Sequence, residues 1–289
     1  MSEQTCTLAA GGLRATFVPE LAMVCCSLEH DGAELLVQGL GLDAYRERGS
    51  TFGIPLLHPW ANRLARPLPA SEIVHRDPNG LPIHGVLPRV LPFTVLEQRP
   101  ASVRAEFDTH DHPAVLEVFP HSHALTVAAE LSADALEIRT TLRAFGRRSV
   151  PVAYGYHPYL QVPGLPRERW TVDIPVHTRL VLDDRLIPTG EREPVRIERA
   201  ALGGRSFDAA YTDLGPHPRF TVEGDGRTIG VEFVEGYAFA QVYAPADQEL
   251  VCFEPMTAPT NALASGDDLT IVRPGESFTS AFRITVNTS

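Results

Sequence analysis

His157 in VAYGYHPYLQV (152–162) and Glu254 in FEPMTAPTNAL (253–263) each stand immediately before proline. A residue before proline is driven to extended backbone, so its side chain leaves the chain at a defined angle. Proline itself donates no hydrogen bond. Within a sheet it is confined to edges, strand ends and bulges, where a cleft can open. A carboxylate and an imidazole held this way make a positioned base and acid that need neither cofactor nor covalent intermediate. Histidine, with a reference pKa of about 6.5, can hold and release a proton near neutrality, whereas glutamate is ordinarily ionised and already a base. Read alone, VAYGYHPYLQV is also compatible with an edge strand bearing a surface histidine, with Gly155 leaving room beside the imidazole.

Other chemistries lack their residues. No phosphate-cradling glycine pattern and no G-x-S-x-G nucleophile elbow occurs. The four cysteines (Cys6, Cys25, Cys26, Cys252) show no C-x-x-C spacing, and LVCFEPM around Cys252 is apolar, which keeps a thiol protonated. Buried free thiols are expected. The pairs His110/His112 and His121/His123 put two imidazoles on one strand face, as metal-binding barrels do. Glu130 is too distant to complete such a set, and Asp111 would point to the opposite face. Solvated loop histidines and no metal are therefore expected.

The elements that must position the acid and base read as strands. In ALEIRTTLRAF (135–145), Leu136, Ile138, Thr140 and Leu142 fall on one face, and Glu137, Arg139, Thr141 and Arg143 on the other. ALTVAAEL (124–131) and TIGVEFVEG (228–236) carry similar period-two patterning. Turn signals recur at Asn79-Gly80, Gly203-Gly204, Asp225-Gly226 and Ser265-Gly266. Many short strands with frequent turns predict an all-β sandwich or barrel. LDAYRER (42–48) is long enough for two helical turns, and QVPGLPRERW (161–170) reads as a loop between strands. The 25 prolines and 22 glycines are spread along the 289 residues instead of marking a linker, so one domain over residues 1–289 is expected.

Charge narrows the partners. Lys plus Arg number 25 against 36 Asp plus Glu, a net −11, which does not suit the phosphate backbone of a nucleic acid or an anionic membrane. No apolar run approaches a transmembrane length, and MSEQTCTLAAGG lacks the layout of a signal peptide. A cytoplasmic location is expected, with no nucleic-acid or membrane partner.

Four stretches combine ionisable groups with proline or glycine: GIPLLHPWANRL (53–64), PIHGVLP (82–88), YGYHPYL (154–160) and FEPMTAPTNAL (253–263). In this order and at these separations they resemble the aldose 1-epimerase (galactose mutarotase) family. They are similar to its Asn-Arg, His-Gly, G-x-H-P-Y and late Glu-Pro segments. The likeness runs from the first strands to PGESFTSAFRITV. It implies a large antiparallel β-sandwich, the supersandwich, with a monosaccharide bound in an open cleft and no cofactor or metal.

The resemblance implies Glu254 as the base that takes the anomeric hydroxyl proton, and His157 as the acid that protonates the ring oxygen. It implies His84, Arg63 and Asp208 as sugar-binding residues. Gly85 would admit close backbone approach, and the fixed fork of Arg63 suits adjacent hydroxyls. His84 has a plainer reading as the cap of the Asn79-Gly80 turn, and Asp213 competes with Asp208. His58, also before proline, reads as structural. Trp60, Tyr156, Tyr159 and Phe239 are possible sugar-stacking rings, although each is more simply a core aromatic. MTAPTNAL lacks the glutamine that follows Glu-Pro in the galactose-specific branch, HPYL ends in leucine, and no asparagine precedes the histidine in IHG. The implied activity is thus aldose 1-epimerase, by a monomer or homodimer, on a sugar left open. Two rivals stand beside it: a hexose-6-phosphate 1-epimerase using Arg66 and Arg89, and a non-catalytic carbohydrate-binding protein or sensor of the same fold.

Overall fold

Alternation along the strands decides how the chain packs. In the computed structural model, which describes residues 4–66, 68 and 71–288, strand Ala135–Ala144 buries Leu136, Ile138, Thr140 and Leu142 and leaves Glu137, Arg139, Thr141 and Arg143 outward. Residues 1–3 of the stretch read for a signal peptide lie outside the described residues. The Ala135–Ala144 strand sits within a nine-stranded antiparallel sheet. Its neighbours are Ser277–Thr288 on one side and His123–Leu131 on the other. Asp225 (φ 50°) and Gly226 (φ 74°) close the tight hairpin between Arg219–Gly224 and Arg227–Glu235, which is the left-handed geometry such turns need.

A second, eight-stranded sheet carries the sequences singled out above. Its central strand, Val251–Met256, pairs on one side with Phe239–Ala244, which in turn pairs with Phe207–Thr212. On its other side lie Gly155–Tyr156 and Tyr159–Leu160. The two large sheets meet face to face. Phe253 stacks on Phe220 with ring centroids 5.5 Å apart, and Tyr156 packs on Phe282 at 5.0 Å. Two pairs of hydroxyls meet between the layers: Thr140 Oγ1 lies 2.7 Å from the Tyr156 hydroxyl, and Ser280 Oγ 2.7 Å from that of Tyr154. One hydrophobic cluster draws residues from Cys6 to Val286, and the expected all-β sandwich is what forms.

Helices are short. LDAYRER lies in helix Gly41–Arg48, stopped by Gly49 in the left-handed region, where the Gly49 N–H donates to the Tyr45 carbonyl and the Ser50 N–H to that of Ala44. QVPGLPRERW is a loop holding one 3₁₀ turn, Arg167–Arg169. Among the described residues no helix is long and apolar enough to cross a membrane. The four cysteines are free, with Cys6, Cys25 and Cys252 buried.

The reading of His123 as a solvated loop residue is corrected, whereas His121 does lie in a loop, half-buried, with its Nδ1 2.7 Å from the Ser149 carbonyl oxygen. His123 opens a strand and is fully buried, with its Nε2 2.9 Å from Nε2 of buried His58. Its Nδ1 lies 2.6 Å from the His121 carbonyl. That contact requires Nδ1–H, so the His123 Nε2 accepts from His58. A partner 65 residues away satisfies the ring, which local sequence cannot announce. His58 is structural, as expected. Among the described residues no group of three or more metal-ligating side chains assembles.

Burial pulls His123 down to about 4 and His58 well below the usual imidazole range, in His58 with a further push from His123. Both are depressed relative to the unfolded chain, so their stabilising contribution is present above about pH 6.5 and is lost as pH falls towards 4. The urea midpoint is expected to decline steadily over that window. A flat midpoint from pH 7 to 4.5 would contradict the neutral buried pair.

Candidate active site

Register places the two pre-proline residues together. Gly155 faces Met256 and Tyr159 faces Cys252, which sets His157 opposite Glu254 in the gap that Pro158 leaves between the two short strands. On the other side of the same strand, Gln241 faces Glu254. One row across the sheet therefore reads Gln241, Glu254, His157. The neighbouring row on the same face contains Asp208, Tyr243, Cys252 and Tyr159. Phe253 and Tyr156, each one residue away from this face, point into the sandwich instead.

The wall facing these rows comes from two earlier segments. Strand Pro82–Val86 carries His84. It is stitched to the Asn-Arg segment, where the His84 N–H donates to the Asn62 carbonyl (3.0 Å) and Leu64 N–H to that of Pro82 (2.9 Å). Gly85 permits this packing, because a Cβ there would lie 2.0 Å from the His58 carbonyl oxygen. The close approach expected of Gly85 is thus to protein backbone. Gly155 likewise admits the neighbouring strand: its Cβ would sit 2.8 Å from the Pro255 oxygen, so it does not serve to leave space for the imidazole. Asn62 (φ 55°) and His84 (φ 59°) both adopt left-handed backbone, a strained state for side-chain-bearing residues that is concentrated at functional sites.

Together these residues line a cavity of about 190 Å³ comprising Asn62, Arg63, Ile83, His84, His157, Tyr159, Asp208, Gln241, Tyr243 and Glu254. All five residues expected at a site, Glu254, His157, His84, Arg63 and Asp208, converge here. Asp213 lines a different depression. Trp60 and Tyr156 lie in the main core and Phe239 in a smaller apolar cluster, so Tyr159 is the one expected aromatic that reaches the cavity. The Asn79-Gly80 turn is capped by Asp77, whose Oδ1 accepts from the N–H groups of Asn79 and Leu81 (both 2.9 Å), leaving His84 for the cavity.

Electrostatics set the chemistry. His157 Nε2 lies 3.3 Å from Glu254 Oε1, with both side chains almost fully buried. His157 Nδ1 and Glu254 Oε2 are enclosed without a protein partner. Burial pulls the His157 pKa down to about 3. It pushes Glu254 well above the usual carboxylate range, with Asp208 adding to the rise and Arg63 opposing it. Burial also holds His84 neutral, helped by the neighbouring His157. Asp208 is raised by the part of it sunk into the wall, against the pull of Arg63 and of the Gln241 hydrogen bond. Arg63 Nε donates to the buried Asp77 carboxylate at 2.8 Å, which aims the guanidinium and offsets its charge. Such a site can move protons between two oxygens of one small, hydroxyl-rich ligand.

Residues 9–285 match the aldose 1-epimerase family along their length. The chain belongs to that family. The uncharacterized protein YihR of Escherichia coli (strain K12) is 24% identical over 95% of this chain and 91% of its own. Solved structures share the fold, these two among them. A galactose mutarotase-like protein from Clostridium acetobutylicum superposes with a TM-score of 0.84 at 20% identity, over 98% of this chain and 95% of that one. The Slr1438 protein from Synechocystis sp. PCC 6803 superposes with a TM-score of 0.79 at 24% identity, over 100% and 97%. The sandwich is thus the galactose mutarotase-like fold, and an aldose-epimerase-type function goes with the family.

Within this aldose epimerase fold, four contributors were not anticipated from sequence: Asn62, Asp77, Gln241 and Tyr243. Gln241 and Tyr243 alternate with the core residues Ala240 and Val242 along FAQVYA, a usable signal once that strand is placed beside Glu254. Asn261, in the TNAL of the late segment, accepts the Ala65 N–H with Oδ1 (2.8 Å) and donates its own N–H to the Arg63 carbonyl (3.0 Å). It pins the Asn-Arg segment to the sheet.

The raised Glu254 pKa carries a stability consequence. A carboxyl whose folded pKa lies above its unfolded value contributes stability fully below about pH 4.5 and loses it as pH rises through the folded pKa. Glu254→Gln is therefore expected to raise the melting temperature at pH 8. The difference should vanish near pH 4. Calorimetry showing the variant less stable at pH 8 would contradict a carboxyl held against its ionisation.

Proposed function

We propose that this protein is a cofactor-free aldose 1-epimerase acting on an unphosphorylated monosaccharide, with Glu254 as base and His157 as acid. The observation that carries the reading is the Glu254–His157 contact of 3.3 Å on the wall of a sugar-sized cavity. Glu254 takes the proton of the anomeric hydroxyl as its oxygen electrons form the C1 carbonyl. The C1–ring-oxygen bond breaks, and the ring oxygen takes the proton of the His157 imidazolium. The open-chain aldehyde turns about C1–C2, the ring oxygen attacks the other face, and both protons return.

This cycle needs one proton on the pair, as carboxylate plus imidazolium. A protonated Glu254 beside a neutral His157, the state that burial favours, holds that same single proton. Its transfer across the contact prepares the site without exchange with solvent. The apparent pKa values that limit the rate belong to the pair and to neither residue alone. The rate should fall on the alkaline side, once the pair loses its proton. Arg63, His84, Asp208 and Gln241 supply donors and acceptors for the sugar hydroxyls, and Tyr243 offers a ring.

Two features favour an uncharged sugar over a phosphorylated one. Arg63 is the cation among the described cavity residues, and Asp77 already pairs with it. Arg89 donates to the carbonyls of Arg46, Glu47 and Glu72, and neither it nor Arg66 lines the cavity. Against a purely binding role stand the enclosed, unpartnered Glu254 Oε2 and His157 Nδ1. Buried polar atoms left without partners cost stability that a binder has no reason to accept.

Polarimetry or NMR exchange on freshly dissolved glucose, galactose, xylose and glucose 6-phosphate tests the reading. The protein should speed equilibration of at least one free sugar and act more weakly on the phosphate. Glu254→Gln and His157→Asn should each lose on the order of 100- to 10,000-fold. Acceleration of no sugar would leave the binder, and an unimpaired Glu254→Gln would remove that residue from the base role.

A further inference from the structure

The guanidinium in the cavity wall has its own counter-ion, which lies behind that wall. Asp77 sits in the turn between strands Val74–Arg76 and Pro82–Val86, the hairpin that also carries His84. Its carboxylate is divided between two tasks. Oδ1 accepts from the N–H groups of Asn79 and Leu81 and closes the turn, while Oδ2 accepts from Arg63 Nε at 2.8 Å. The Asp77 side chain is 3% exposed and that of Arg63 16%, so water and salt screen the pair little. Arg63 Nη1 also donates to Asn62 Oδ1 at 3.3 Å. The guanidinium fork then keeps one N–H on Nη1 and both on Nη2 for a ligand.

We propose that Asp77 is a specificity-determining residue that restricts the cavity to uncharged aldoses and excludes hexuronates and sugar phosphates. The turn by itself needs only one oxygen, which an asparagine would supply equally. The second oxygen and its buried charge are required by Arg63 alone. Paired with Asp77, Arg63 presents directional N–H donors without surplus charge. Such donors match hydroxyl oxygens, but give a carboxylate or phosphate no net attraction to offset the loss of its water.

The other ionisable groups of the wall add no positive charge. Glu254 and His157 share one proton and together carry none, and burial holds His84 neutral. Asp208, whose Oδ1 accepts from Gln241, contributes a further carboxylate. A bound anion would therefore meet a surplus of negative charge. In a cavity of about 190 Å³ no substituent of a hexose escapes that field. Asp77 does not line the cavity, so it sets this balance through Arg63 without touching the sugar.

This inference rests on the sugar-site reading, and binding measurements separate the two. Titrations followed by protein NMR, and anomer equilibration, are made with glucose, galactose, glucuronate and galacturonate. The wild type should favour each neutral sugar over its uronate. In Asp77→Asn the turn contacts at Oδ1 persist and the charge is gone. The uronate-to-neutral ratio, in affinity and in kcat/KM, should rise about tenfold, the scale of one unit charge roughly 10 Å away at a protein's effective dielectric. Affinity for the neutral sugars should fall, because Arg63 Nε loses its acceptor. Asp77→Glu keeps the charge and should keep the wild-type ratio, even where its longer side chain weakens both sugars alike. A merely structural Asp77 would lower both sugars together in either variant and leave the ratio unmoved. An Asp77→Asn protein with the wild-type ratio would overturn the proposal, as would a wild type that binds the uronates as well as the neutral sugars. If the wild type binds neutral sugars but accelerates none, the catalytic reading falls, and the affinity ratio alone decides the role of Asp77. Binding of none of the four sugars would overturn both.

Discussion

The pairing of Val251–Met256 with a strand on each side is the constraint on which the rest of the site depends. Antiparallel register leaves no freedom in which residues face one another, and a slip of one residue would turn every side chain to the other face. Here the slip would put Phe253 in the cleft and Glu254 in the sandwich core, where Phe220 now packs. The core therefore guards the site. Packing of Phe253, Tyr156 and their partners holds the register that sets Glu254 beside His157 and Gln241.

The site is built against the ordinary preferences of its groups. A carboxylate and several imidazoles sit where water is scarce, two non-glycine residues hold left-handed backbone, and buried polar atoms lack partners. Each costs stability, and the large two-layer core absorbs it. Burial inverts the ordinary proton preferences of Glu254 and His157, because it disfavours charge on both and so keeps the proton on the carboxyl. A pair that shares one proton across a short contact suits a reaction that begins and ends with the same proton inventory.

The pre-proline pattern made His157 and Glu254 readable, because proline acts on the backbone of its own neighbour. The alternation of Ala135–Ala144 was readable for the same local reason. Asp77 and Gln241 were not. Asp77 earns its place through an Arg63 contact across fourteen residues, and Gln241 through a strand partner thirteen away. His123 shows the converse, since a pattern suggesting solvated histidines hides a fully buried ring satisfied by His58. Gly155 was noticed for the right position and the wrong reason, the missing side chain making way for the Pro255 carbonyl.

The chain's own residues fix the local conformations: extended, alternating strands, sharp turns at Asn-Gly and Asp-Gly, and the proline gaps that follow His157 and Glu254. Those follow from sterics within a few residues. The tertiary structure alone decided that the two gaps face each other, that Asp208 and not Asp213 shares their cleft, and that Asp77 reaches Arg63 behind it. It also decided the proton affinities, because burial is a property of what surrounds a group and no residue carries it along the chain.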